Sequence, residues 1–457
     1  MIRHSLKHIA HALLLASLPL AVAAQQPADA DTDAEEVDVV VTDDDESELL
    51  AAGVVEIPGE ADDIDIPIPS FIRRSANHII YNGADWSALR RAFERSDKAP
   101  VSIVLIGDSH IQADISSGTT RDLLQYDFGN AGRGLVSPLK ISGTNEPSNY
   151  FFQSRNSWIP VKLMSSTWRQ TVGFTGCSIR PSSSSSEFTI GTSEKDDYNP
   201  FTSVTVFHSG RFVINSVRGE SDDPLQFRSI PSRDYTQILL PSPQTRITID
   251  FASAGDLTVF GASLSGDRPG VFYHAIGNNG AAYETYNRIG TVGAGIAPLN
   301  PALVIVSLGT NEAFGRLDTS AFTRAVNRLV SNIRTANPDA LILLTTPMEC
   351  QKSVTTTKKV RVRSKKKGQK ARTVNRTSRS YAVNHNIAPI RQAILDYGKQ
   401  NGIAVYDWYD IAGGQGASNT WVAHNLFAKD RVHHTHAAYR LEGRLLYEAI
   451  MDALRSN

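Results

Sequence analysis

Residues 101–110, VSIVLIGDSH, set an unbroken apolar run directly before a Gly-Asp-Ser-His tetrapeptide. A run this short, rich in β-branched residues and closed by glycine, suits a strand buried on both faces better than a helix. Strands of that kind belong to parallel sheets covered by helices on both sides, so the expected class is α/β. Ser109 then sits just past the carboxyl end of its strand, where ligands bind in open α/β sheets. A hydroxyl there is either a nucleophile or the cap of the next helix, and the tetrapeptide alone favours the cap.

Two further stretches supply what a serine nucleophile needs. Residues 302–312, ALVIVSLGTNE, form a second apolar run ending in glycine and bring Asn311 to the same sheet edge. Asp430 precedes His433 by three residues, a spacing that lets a carboxylate hold an imidazole across a turn. Residues 276–280, IGNNG, end another apolar run in a glycine turn. Taken in order, these blocks resemble the SGNH (GDSL-type) hydrolase family: Gly107-Asp108-Ser109 matches its first block, Gly280 its second, Gly309-Thr310-Asn311-Glu312 its third, and Asp430 with His433 its fifth. The resemblance implies a doubly wound, flavodoxin-like parallel sheet with Ser109, Asp430 and His433 as the catalytic set. It also implies an oxyanion hole made by the backbone N–H groups of Ser109 and Gly280 and the Asn311 side-chain amide, with Gly277 the alternative to Gly280. His110 and Glu312 stand where the family commonly has Leu and Asp, and both variants look like the branch that contains peptidoglycan O-acetylesterases.

The resemblance covers roughly residues 75–455 apart from an insertion, and the chain around it divides by composition. Arg3 and Lys7 precede an apolar run that ends in Ala-Val-Ala-Ala, so residues 1–24 read as a signal peptide cleaved near Ala23 or Ala24. The run falls short of the roughly 20 apolar residues that span a bilayer, and no other stretch spans either. Residues 25–70 read as a disordered acidic linker: positions 29–65 hold sixteen Asp or Glu and no Lys or Arg, too little apolar surface to offset chain entropy. Residues 71–135 hold the first part of the hydrolase domain. There Trp86, Leu89 and Phe93 fall at helical spacing behind Asp85, and a helix is expected over 112–126. Residues 136–268 lose the helical rhythm. Short alternating segments at 203–207, 211–217 and 245–251 predict an inserted antiparallel sandwich or jelly roll. The O-acetylesterase-like branch carries such an insert, similar to a carbohydrate-binding module; Trp158, Trp168 and Tyr198 either stack on sugar rings or fill its core. Residues 269–457 resume the hydrolase domain, with helices expected near 281–289, behind Asp318, at 387–397 and at 438–454, and strands at 341–346 and 403–406.

Within that last part, residues 352–379 hold twelve Lys or Arg and no acid, and read as a basic hairpin or a solvated loop. The segment follows a core strand at its carboxyl end, so it is a candidate contact for a polyanion near Ser109. The net charge of −1 conceals these two opposed segments. Cys177 and Cys350 fall in different predicted domains, which favours two buried thiols over a disulfide. No Cys and His cluster has zinc-ligand spacing, so neither metal nor cofactor is expected. The absence of Gly-x-Ser-x-Gly counts against a nucleophile-elbow hydrolase. The expected activity is that of an exported, periplasmic or secreted serine esterase that removes O-acetyl groups from a cell-wall or envelope glycan. An acetylated polysaccharide, peptidoglycan foremost, is the expected partner, and nucleic acid is not. A glycan O-acetyltransferase using the same residues, or an inert glycan-binding protein, are the alternatives.

Overall fold

The computed structural model describes residues 35–43, 66–193, 199–253, 255–362 and 372–456. In it the apolar runs become adjacent parallel strands. Val271–Gly277, Val101–Gly107, Leu303–Ser307, Leu341–Thr345 and Ala404–Tyr406 lie side by side in that order, and Ile79–Ile80 adds an antiparallel edge. Numbered along the chain, the parallel strands run 2-1-3-4-5, the flavodoxin-like arrangement. The order therefore reverses between Val101–Gly107 and Leu303–Ser307, and a crevice opens beyond their carboxyl ends.

Strand pleating sends alternate residues to opposite helical layers. Val104, Ile106, Val304 and Val306 share a core with Val326, Leu329 and Ile333 of the helix Thr319–Ala336 and with Ile390 and Ile394 of the helix Ile387–Asn401. Ile103, Leu105, Leu303 and Ile305 face Leu89, Leu124, Leu441 and Leu445 on the other side. Burial on both faces is what runs of β-branched residues favour.

The insertion is all β, as expected. A larger sheet holds Arg228–Pro231, Tyr235–Gln244, Phe201–Ser209, Thr258–Ser265, Cys177–Pro181 and Trp158–Lys162, with Gly134–Val136 paired to Thr258–Ser265. A four-stranded sheet holds Phe212–Arg218, Arg246–Ser253, Ser185–Thr192 and Tyr150–Gln153. Phe152, Phe188, Phe251, Ile190 and Ile249 form a core of their own. Trp158 packs on Phe188 and Phe251, and the Arg288 guanidinium lies 4.4 Å from the Trp168 ring, so both tryptophans serve packing. Tyr198 and the signal segment 1–24 lie outside the described residues. Both cysteines are buried, and no disulfide joins them. No helix among the described residues is long and apolar enough to cross a membrane.

Two expectations are corrected. The single helix over 112–126 is instead Ser109–Gln112 followed by Ser116–Phe128. The break falls at Asp114, whose left-handed backbone (φ 55°) aims a buried carboxylate at Arg121 and Arg133, 2.9 and 2.7 Å away. Burial alone would raise this carboxyl, but the two guanidinium groups hold it at about 2. The acidic linker 25–70 is also not wholly without regular structure: Glu35–Asp43 is a strand. It forms a second compact unit with the basic segment, which is a hairpin of Gln351–Val362 and Arg372–Val383, the first of these lying in the middle of the three-stranded sheet. Backbone pairing needs no apolar side chains, which is why composition did not reveal it.

The closing helix His436–Arg455 crosses Ser116–Phe128 at Gly443, whose carbonyl accepts a hydrogen bond from the Thr120 hydroxyl at 2.9 Å. A Cβ at Gly443 would lie 2.2 Å from the Ser116 carbonyl oxygen. Gly443→Ala is therefore expected to destabilise the protein by about 1–3 kcal/mol through overpacking. Urea unfolding measures this, and an unchanged midpoint would refute the close crossing.

Candidate active site

Gly107 ends the nucleophile strand because a Cβ there would sit 2.3 Å from Ile111 Cγ1 and 3.0 Å from the Ser307 carbonyl oxygen. The chain turns at once into the helix Ser109–Gln112, with the Asp108 carboxylate accepting from the His110 N–H at 2.9 Å. Ser109 is thus the first residue of a helix, yet its side chain does not cap. Its Oγ lies 2.7 Å from Nε2 of His433. On the far side of the imidazole, Nδ1 lies 2.7 Å from Asp430 Oδ2. The other carboxylate oxygen, Oδ1, accepts from the backbone N–H groups of Val432 and His433, each at 2.9 Å. Burial alone would raise the Asp430 carboxyl, but the hydrogen bond and charge of His433 and these backbone donors hold it below its ordinary value.

The second and third blocks reach the same crevice. Residues 278–281 form a turn closed by the Ala281 N–H on the Asn278 carbonyl at 3.0 Å, with Gly280 in the left-handed region at φ 75°. Among the described residues, neither the Ser109 nor the Gly280 N–H is donated to a protein acceptor. The Asn311 amide donates to the Ala281 carbonyl at 2.9 Å and lies 3.3 Å from Asp108 Oδ2, which ties the third block to the first and second. The structure therefore brings together Ser109, Asp430 and His433 directly, and sets Asn311 against the nucleophile turn and the Gly280 turn. A serine hydroxyl on an imidazole oriented by a carboxylate is the arrangement that activates an alcohol for acyl transfer.

Residues that spacing did not single out complete the site. Gln112 Oε1 accepts from the Asn279 N–H at 2.7 Å, and its Nε2 donates to the Asn145 side chain at 2.8 Å. Asn145 Oδ1 also accepts from Asn279 Nδ2 at 2.9 Å, so a loop of the insertion braces the glycine turn of the hydrolase core. Only the fold brings Asn145 there, and no sequence signal marks it. His110 packs 5.3 Å from the His433 ring and its Nδ1 meets the Tyr439 hydroxyl at 3.0 Å. Burial and the neighbouring His434 and His433 hold His110 well below the ordinary imidazole value. Glu312 Oε1 accepts from the Tyr283 N–H at 2.8 Å, at the first turn of the helix Tyr283–Asn287 that follows the Gly280 turn.

Burial pushes Asp108 and Glu312 each up to about 7. The folded chain thus keeps protons that the unfolded chain releases near pH 4, so the stability associated with them is present below about pH 4 and is lost as pH rises to about 7. Glu312→Gln preserves the acceptor for Tyr283 and removes the titration. Across pH 4 to 8, urea midpoints of this variant are expected to decline less steeply than those of the wild type; parallel curves would contradict the buried protonated carboxyl.

Comparison with known proteins agrees with this geometry. The model of the GDSL-like lipase/acylhydrolase family matches residues 247–441, which takes in the Gly280, Asn311 and Asp430–His433 blocks and leaves out the Ser109 block that the insertion separates from them. A solved peptidoglycan O-acetylesterase is similar over 83% of this chain and 99% of its own, with a TM-score of 0.65 and 17% identity. A family two carbohydrate esterase from Cellvibrio japonicus aligns over 67% of this chain and 98% of its own, at 9% identity and a TM-score of 0.26. No curated protein matches the sequence. Residues 247–441 thus match the GDSL-like lipase/acylhydrolase family, and the ordered blocks at the strand ends give this chain the site geometry of a serine hydrolase.

Proposed function

We propose that this chain is an exported esterase that removes O-acetyl groups from a cell-wall or envelope glycan, peptidoglycan foremost. The observation that carries this reading is the continuous path from Ser109 through His433 to Asp430, with both contacts at 2.7 Å. Ser109 Oγ attacks the acetyl carbonyl carbon while His433 Nε2 takes its proton. His433 then returns that proton to the leaving sugar hydroxyl, and Asp430 stabilises the imidazolium between the two steps. The N–H groups of Ser109 and Gly280 hold the oxyanion, joined by the Asn311 amide as its longer, 3.3 Å contact to Asp108 Oδ2 is given up, each such donor being worth about 10² to 10³ in rate. Water carried through the same cycle releases acetate and restores Ser109. The likeness in fold to a peptidoglycan O-acetylesterase supports the choice of acetyl group and glycan. The basic n-region, apolar run and Ala-Val-Ala-Ala of residues 1–24 support export to the periplasm or medium.

The test is acetate release from O-acetylated peptidoglycan, xylan and alginate, each with and without an acceptor sugar. Ser109→Ala and His433→Ala are each expected to lower turnover of a small aryl acetate by at least about 10³-fold, with melting unchanged. Activity near wild type in either variant would sink the assignment, and acetyl transfer to the acceptor in place of release would make the protein a transferase.

The basic hairpin supplies a second contact in this reading. Its first strand, Gln351–Val362, begins shortly beyond the carboxyl end of Leu341–Thr345, the end of the sheet that carries Ser109. Peptidoglycan bears peptide carboxylates, and the acidic strand Glu35–Asp43 shares the hairpin's sheet, so polymer and strand compete for one basic element. Exposed charges are screened over about 8 Å at physiological salt, and the competition weakens as salt rises. Replacing the Lys and Arg of 356–378 by Ser and Gln is expected to lower deacetylation of the polymer at low salt while the aryl acetate is turned over as before. Equal polymer activity in the two proteins would remove the hairpin from substrate binding.

A further inference from the structure

The turn that presents Asp430 to His433 passes through Arg431, whose φ is +58°. A long side chain enters that left-handed region at a cost and stays there only when its surroundings hold it. The conformation matters to the site, because it is this turn that places the Val432 and His433 N–H groups on Asp430 Oδ1 and the His433 ring on Oδ2. One clamp is internal: the Arg431 N–H donates to the Ala428 carbonyl at 3.0 Å, and the Ala428 N–H to the His433 carbonyl at 2.7 Å.

The other clamp comes from far away in sequence. The Gln351 N–H donates to the Arg431 carbonyl at 3.0 Å, and Arg431 Nη1 donates to Gln351 Oε1 at 2.8 Å, so one buried glutamine grips both the backbone and the side chain of the strained residue. Gln351 is itself anchored through Nε2 to Asn419 Oδ1 at 2.8 Å. The Arg431 guanidinium lies 4.2 Å from the centre of the Tyr381 ring, and the Tyr381 hydroxyl donates to the Lys429 carbonyl at 3.0 Å, immediately before Asp430. Gln351 opens one strand of the hairpin and Tyr381 lies near the end of the other.

We infer that Gln351, Tyr381 and Arg431 are positioning residues: the root of the basic hairpin holds Arg431 in its left-handed conformation and thereby fixes Asp430 against His433. The hairpin is then wired into the hydrolytic machinery at its base, whatever its distal charges bind. None of the three touches the reacting atoms. Their action passes through Asp430 and rests on the serine hydrolase reading above.

The experiment compares Arg431→Ala, Gln351→Ala, the double variant and Arg431→Lys in the full chain, with an aryl acetate as substrate and Ser109→Ala as control. A displaced catalytic group costs on the order of 10²-fold in rate, so kcat is expected to fall about 10-fold to 100-fold in each alanine variant with KM nearly unchanged. The double variant should lose little more than either single one, because both break the same clamp. Arg431→Lys retains a donor for Gln351 Oε1 and should recover part of kcat. The downfield proton resonance of His433 Nδ1 should broaden in the alanine variants and sharpen again in Arg431→Lys. Wild-type kcat in Arg431→Ala and Gln351→Ala, while Ser109→Ala is inactive, would overturn the positioning role and leave the hydrolase reading intact; activity in Ser109→Ala would overturn that reading itself. A kcat loss that only follows the loss of folded protein, with the His433 resonance unchanged, would also overturn the positioning role.

Discussion

The hydrogen bond between Ser109 Oγ and His433 Nε2 joins residues 324 positions apart and is the constraint on which the site turns. It forms because a parallel sheet delivers every strand's carboxyl end to one edge. The nucleophile leaves the first strand, Asn311 leaves the third, and the two flank the reversal in strand order. The imidazole arrives from a loop beyond the last strand, just before the closing helix His436–Arg455 returns to pack on Ser116–Phe128.

The insertion is more than an added module. It divides the hydrolase domain between its first two parallel strands, yet Asn145 and Gln112 brace the glycine turn on which the oxyanion donor is expected. The buried Asp114 carboxylate extends this support, because it binds Arg133 at the entry to the insertion and Arg121 on the following helix. A buried charge is costly unless fully paired, and here two guanidinium groups, Ser117 and Asn149 share it. Removal of one partner would leave the others uncompensated at the point where the two cores meet.

The second compact unit is a three-stranded sheet. The acidic strand and the basic hairpin satisfy one another's backbone groups in one sheet, while the hairpin's root belongs to the hydrolase unit and grips the Asp430–His433 turn. The first relationship is one of backbone pairing alone. The second depends on a single glutamine, a tyrosine and the left-handed backbone of Arg431.

What could be read from the chain alone was local chemistry and its order. Short β-branched runs ended by glycine dictate buried parallel strands, so Ser109 and Asn311 were placed at strand ends, and an Asp three residues before a His dictates a turn that can orient the ring. The alternating segments between residues 136 and 268 likewise announced a separate antiparallel domain. Three things were left to the tertiary structure: the break at Asp114, the bracing of the Gly280 turn by Asn145, and the clamp on Arg431 by Gln351 and Tyr381. Each rests on hydrogen bonds or ion pairs between polar residues distant in sequence, or set by one unusual backbone angle. Such contacts leave no periodicity behind, because polar partners are selected by where the folded backbone brings them and not by any repeating position along the chain.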